Sequence, residues 1–239
     1  NETGSAPGFI QLYDKTILPQ LREQVVRNGT LSVSGVQEYV VLNNANLGTS
    51  IYSNTTLTLP LQSGTTYLTY YVDLSNKNIY ANINEGKLVR LRLAGKDVVI
   101  SEVGSNSVKL LSGFGPEWIS VGEVKEITGT GYKLRLDNVI GLGCNDVMAQ
   151  LSVIDSQGNA YPVGVTPGQF DVEPTTGVKV VVLRACAYGD TKMAYVVAGT
   201  ETEVKDGDRI DNLFTWVVEA DGTYLSKIGY ALYPNETVY

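Results

Sequence analysis

The stretch from Gly131 to Ala198 sets the tightest limit on what this chain can fold into. It holds three strand-like runs, each closed by its own turn chemistry. In Lys133-Leu134-Arg135-Leu136-Asp137 charged and apolar residues alternate, the period-two pattern of a strand with one wet and one buried face. Leu151 to Ile154 runs into Asp155-Ser156-Gln157-Gly158-Asn159, a polar turn whose glycine suits a positive φ. Val178 to Cys186 is almost wholly β-branched or apolar, as expected of a strand covered on both faces. The only two cysteines, Cys144 and Cys186, fall within this stretch. A bond between them would tie a strand to a loop distant in sequence and, on the chain-entropy estimate, stabilise the fold by roughly 4 kcal/mol. A crosslink between copies and a pair of buried free thiols are the other readings.

Composition extends this pattern to the whole chain. Of 239 residues only 18% are charged, while glycine, tyrosine, threonine and valine are plentiful, a mix that favours strands over helices. The length suffices for one large β domain or two small ones. The formal charge of −7, with no Lys/Arg cluster, argues against nucleic acid as a partner. No apolar run approaches membrane-spanning length, and no transmembrane segment is expected. No leader segment is legible, so an exported chain would be read here in its mature form.

Short strands with turn signals follow one another along the chain. Residues 1–7 read as a flexible start. The next segment is ambiguous: Tyr13, Ile17, Leu21 and Val25 recur at helical spacing, yet Pro19 interrupts them. The preferred reading is an irregular or helical lead-in followed by a hairpin at Asn28-Gly29. A meander is expected over Asn78–Leu111, with turns at Asn84-Glu85-Gly86, Ala94-Gly95 and Gly104-Ser105-Asn106. Arg90 and Arg92 share one strand face there, read as a solvated face. Ser112-Gly113-Phe114-Gly115-Pro116 is the best boundary signal, with Trp118 placed to plug the junction. The expected architecture is all-β: one or two β-sandwich modules of short antiparallel strands, with a short N-terminal arm or helix. The expected divisions are an arm over 1–27, a first β module over 28–115, and a second sandwich module over 116–239 that carries the cysteines.

Two segments resemble the β-rich repeats of archaeal surface-layer (S-layer) and sheath proteins. They are GKLVRLRLAGKDVVISEV, residues 86–103, and GYKLRLDNVIGLGCNDVMAQLSVIDSQGN, residues 131–159. The turn Lys205-Asp206-Gly207-Asp208-Arg209-Ile210-Asp211 is similar to the turns between such units. The resemblance covers roughly residues 85–220 and implies a secreted, cell-surface structural protein whose partners are copies of itself. The chain is shorter than surface-layer proteins usually are, which points to a sheath, tube or filament subunit. The segment Gly8–Val26 is the expected assembly element, an extended arm able to add a strand to a neighbour.

Four Asn-X-Thr triplets, at Asn1, Asn28, Asn54 and Asn235, lean towards an exported glycoprotein bearing N-linked glycans. Catalysis has little to work with. The absence of histidine removes the commonest general base and metal ligand, and neither a Gly-x-Ser-x-Gly nor a Cys-x-x-Cys motif is present. The chain is therefore read as no enzyme, with no cofactor-binding residue and no cofactor. Asp206, Asp208 and Asp211 in a glycine turn are candidate ligands for a structural Ca2+, though without EF-hand spacing. Trp118, Trp216 and the fifteen tyrosines leave a second function open, a monomeric adhesive or carbohydrate-binding sandwich. Phe214 and Trp216 share a face, read as core.

Overall fold

The computed structural model describes residues 10–29, 31–43, 50–52, 56–58, 61–85 and 87–236. Among these the chain is almost entirely antiparallel strand. In order the strands are β1 (Ile10–Tyr13), β2 (Glu23–Asn28), β3 (Leu31–Asn43), β4 (Ser50–Tyr52), β5 (Thr56–Thr58), β6 (Leu68–Asp73), β7 (Val89–Leu93), β8 (Lys96–Gly104) and β9 (Ser107–Ser120). They continue as β10 (Val124–Ile127), β11 (Tyr132–Ile140), β12 (Met148–Ile154), β13 (Ala160–Val165), β14 (Gln169–Val172), β15 (Lys179–Tyr188), β16 (Thr191–Lys205), β17 (Phe214–Ala220) and β18 (Leu225–Leu232). Among the described residues a 3-10 turn, Ile83–Glu85, breaks the pattern.

The alternation in β11 produces one sandwich. Leu134 and Leu136 point inward and are fully buried, while Arg135 and Asp137 pair on the outer face. A bulge between Leu136 and Asn138 resets the phase, so Val139 also turns inward. The sheet β10-β11-β12-β13 thereby lays an apolar face on β15-β16-β9. Val180 and Val182 of β15 face this core, and Val181 faces a smaller one with Ile83, Leu88, Val99, Leu111 and Val197. This accounts for the unbroken apolar run in β15.

A second core lies among β2, β3, β6, β7, β8, β17 and β18, where Val26, Val36, Val72, Leu93, Ile100 and Ile228 are fully buried. The large sheet runs β14-β15-β16-β9-β8-β7-β2-β3-β6-β18-β17, with β1 on β3 as a side branch. Its far end curls back. Ser105 bridges Asp221, and the Trp216 N–H donates to the Asp208 carbonyl at 2.8 Å.

Two long strands hold these parts together. β9 and β16 pair from Met193↔Ser120 to Lys205↔Ser107, and each lends side chains to both large cores. At about 3.3 Å per residue this ladder spans roughly 45 Å. Where it crosses between the cores it is packed too closely for side chains. Gly115 has φ +82° and a Cβ there would lie 2.2 Å from the Val196 carbonyl oxygen. A Cβ on Gly199 would lie 1.8 Å from the Ser112 oxygen. The Gly/Pro stretch Ser112–Pro116, which reads as a boundary in sequence, is thus the interior of a continuous strand. Residues 214–232 likewise pack in the core built by the first half of the chain.

The N-terminal segment is strand over Ile10–Tyr13 and turns over 14–22, and contains no helix among its described residues. Leu21 is buried but Ile17 and Val25 are exposed, so the helical spacing buries no common face. The hairpin at Asn28-Gly29 forms, joining β2 to β3 with Asn28↔Leu31 in register. Trp118 does not plug a junction; it lies on the outer face of β9 against Tyr195.

The close approach at Gly199 predicts that Gly199→Ala destabilises the protein by roughly 3 kcal/mol through backbone displacement. Gly164→Ala, whose new Cβ would meet only the Met148 sulfur at 3.6 Å, should be nearly neutral. Urea midpoints for the two variants check this.

Candidate functional site

The cysteines meet at one end of the molecule. Cys144 and Cys186 form a disulfide with Cα atoms 4.1 Å apart. Beside it Gly143 and Ala187 exchange two backbone hydrogen bonds, at 2.9 and 2.7 Å, so the 141–146 loop is fastened to the end of β15. The fastened loop and the strand ends beside it present apolar side chains to solvent: Leu142 of the loop is 86% exposed, Tyr188 at the end of β15 63% and Ile140 at the end of β11 46%. The Tyr188 hydroxyl lies 3.3 Å from the Cys144 sulfur. At the opposite end of the β9–β16 ladder a shallow depression of about 760 Å³ is bordered by Leu31, Tyr80, Lys87 and Tyr224.

A groove of about 880 Å³ lies between these ends where β2 and β7 part company. The two strands pair only at Arg27↔Arg90 and Asn28↔Val89. Beyond that the Gln24 side chain takes over as a backbone mimic. Its amide nitrogen donates to the Arg92 carbonyl at 2.9 Å, and its oxygen accepts from the Arg92 N–H at 2.7 Å. Four of the chain's seven arginines, Arg22, Arg27, Arg90 and Arg92, line this groove. Its carboxylates are already engaged. Glu23 pairs with Lys15, and Asp97 with Arg92. Glu38 is buried and accepts from the Tyr70 hydroxyl at 2.9 Å and the Arg22 N–H at 3.0 Å. Burial pushes the Tyr70 phenol up, keeping it a donor to Glu38. One wall is Tyr195, whose ring centroid lies 5.3 Å from that of Trp118.

A polar contact is built into the β15–β16 pairing. Lys179 holds Glu201 at 2.8 Å, and the buried Ser101 hydroxyl donates to the same carboxylate at 2.5 Å. Burial alone would raise the Glu201 carboxyl, but the Lys179 ammonium and the Ser101 hydroxyl outweigh it and hold it below the usual glutamate value. The folded protein binds this proton less readily than the unfolded chain. The stabilisation is therefore complete above the ordinary glutamate value of 4.5 and fades as pH falls through the lowered one.

The other sequence-derived positions fall as follows. Asp206 accepts from the Val218 N–H, Asp208 from the Lys205 N–H, and Asp211 from those of Leu213 and Phe214. Each carboxylate thus caps backbone, and among the described residues no group of three or more His, Cys, Asp or Glu is placed to hold a metal ion. Asn1 and Asn54 lie outside the described residues. Asn235 is exposed, while Asn28 sits between β3 and β7 with its side-chain oxygen buried and unbonded. Trp216 packs against the second core beside Tyr230, with ring centroids 4.9 Å apart. No helix of the described residues is long and apolar enough to cross a membrane. Sequence reasoning placed Arg90 and Arg92 on one face but missed Arg22, Arg27 and Tyr195. Their convergence depends on pairings between strands far apart in the chain, for which the sequence carries no local signal.

Two measurements follow. Replacing both cysteines with alanine should cost about 4 kcal/mol, which corresponds to roughly 10 °C in Tm for a chain of this size; an unchanged Tm contradicts the brace. Glu201→Gln should cost on the order of 1 kcal/mol at pH 7. Its difference from wild type should shrink as pH falls below 4.5, read from denaturant midpoints across the acid range. The chain matches no protein-family model, no curated protein and no solved structure.

Proposed function

We propose that this chain is a self-assembling structural glycoprotein of an extracellular surface, a sheath, tube, filament or layer subunit of the archaeal S-layer type. Its work is mechanical: rigid copies join through preformed surfaces and carry N-linked glycans outward. The observation that supports this reading most is the covalently braced apolar tip. Scattered exposed leucines are ordinary on a protein surface. Leu142 instead stands on a loop fixed by the Cys144–Cys186 bond and a two-hydrogen-bond bridge, with Ile140 at the end of β11 leading into it and Tyr188 at the end of β15 to which it is fastened. An interface made rigid beforehand loses little conformational entropy on joining.

The depression bordered by Leu31, Tyr80 and Tyr224 lies at the other end of the ladder. A tip-to-depression contact is heterologous, and one whose rotation does not close into a ring builds a filament. The arm's share in assembly narrows to β1, whose described pairing is with β3. β2 belongs to the second core through Val26, so removing residues 1–27 would take a core strand with it rather than leave a folded monomer.

The test is Leu142→Asp with Tyr188→Ser. The variant should stay folded, with Tm within a few degrees of wild type, because both side chains are exposed. Electron microscopy and light scattering should find wild-type polymers and only monomers of the variant. Polymers from the variant, or none from wild type at any concentration, would overturn the proposal.

A further inference from the structure

The structure assigns a ligand site to the arginine groove: we propose that it binds an oligosaccharide bearing uronic-acid carboxylates. The inference is independent of assembly and rests on an imbalance of charge. Arg27 and Arg90 are direct partners across the β2–β7 ladder, so their side chains leave from the same face. Like charges directly opposite one another destabilise a sheet. Neither arginine has a carboxylate partner among the described residues. Arg27 donates to the Ser32 hydroxyl, and Arg90 donates to the Tyr195 hydroxyl at 3.2 Å while lying 5.7 Å above that ring. Arg22 contributes its backbone N–H to Glu38, and its guanidinium is unpaired among the described residues. A chain with 25 acidic and 18 basic residues has carboxylates to spare. It nevertheless leaves three guanidinium groups without one in a single groove.

The chemistry of the groove selects among anions. Guanidinium groups hold planar carboxylates with two parallel hydrogen bonds. A polyphosphate or nucleic acid, with its dense charge, would be repelled by Glu23, Glu38 and Asp97 in the same groove. A sugar with one carboxylate per ring brings far less charge past those groups, so the unpaired guanidinium groups outweigh them. An acidic peptide binds a sheet chiefly through free main-chain groups at an edge. Here β2 and β7 pair with each other, and Gln24 occupies the N–H and carbonyl of Arg92 where they diverge. The Trp118–Tyr195 pair, with Trp118 41% exposed, offers a ring face for a pyranose to lie on.

The test is titration of the full chain with hexagalacturonate at low salt, followed by calorimetry and tryptophan fluorescence. Saturable binding is expected, weakening as salt is raised, and Trp118→Phe should abolish the fluorescence change. Arg27→Gln and Arg90→Gln should each lower affinity roughly tenfold, and Arg209→Gln, outside the groove, should leave it unchanged. The fully methyl-esterified hexamer should not bind. Because the two arginines oppose each other, Arg27→Gln should hold or raise Tm at low salt. The proposal is overturned by absence of saturable binding, by equal affinity for the ester, by affinity unaffected by the groove substitutions, or by tighter binding of hexaglutamate, which would make the partner a peptide. A fall of several degrees in Tm for Arg27→Gln would make the arginines structural and would equally overturn it.

Discussion

The β9–β16 ladder is the constraint on which the rest of this molecule depends. A strand of ordinary length serves one core; these two are long enough to serve both, and the same backbone hydrogen bonds that close the sandwich carry on into the second core. The requirement is geometric. Two strands can pass from one core to the other without a break only if they twist and approach closely where the cores meet. Gly113, Gly115 and Gly199 supply that approach by having no side chain to obstruct it. The Lys179–Glu201–Ser101 contact then fixes β15 and β8 to the ladder at the level of Gly199.

This construction bears on both proposals. A stiff ladder keeps the braced tip and the depression at the far end at a constant separation, which a repeating head-to-tail contact requires. The groove opens where pairing stops. β2 and β7 pair over only two residues, while β2 stays paired with β3 and β7 with β8 along the rest of their lengths. The arginines sit in the opening that results, and the ladder's outer face supplies Tyr195 as its wall, with Trp118 packed against that ring.

Much of the fold was legible locally. The alternation around Leu134 and Leu136, the apolar run of β15 and the Asn28-Gly29 hairpin are short-range signals, and each produced the element expected of it. What was not legible depends on distance in sequence. The Ser112–Pro116 stretch has the composition of a linker, because the close packing that demands its glycines comes from β16, some eighty residues later. β17 and β18 return to the second core through the pairing of β18 with β6, which their own residues do not announce. The helical spacing of Tyr13, Ile17, Leu21 and Val25 was overridden by the pairing of β1 and β2 with β3, which leaves Ile17 and Leu21 in the turns between them. Within the candidate site, the shared face of Arg90 and Arg92 was visible, but the opposition of Arg27 and Arg90 is a fact of register between strands.

The two tryptophans make the shared ladder directly measurable, since Trp118 lies on the sandwich half of β9 and Trp216 packs against the second core. Unfolding should be followed in urea with variants that keep one tryptophan each, Trp118→Phe and Trp216→Phe. If one ladder unites both cores, the two fluorescence transitions share a midpoint and a slope, as two-state unfolding of one unit requires. Two separated transitions, with one half lost while the other stands, would contradict it.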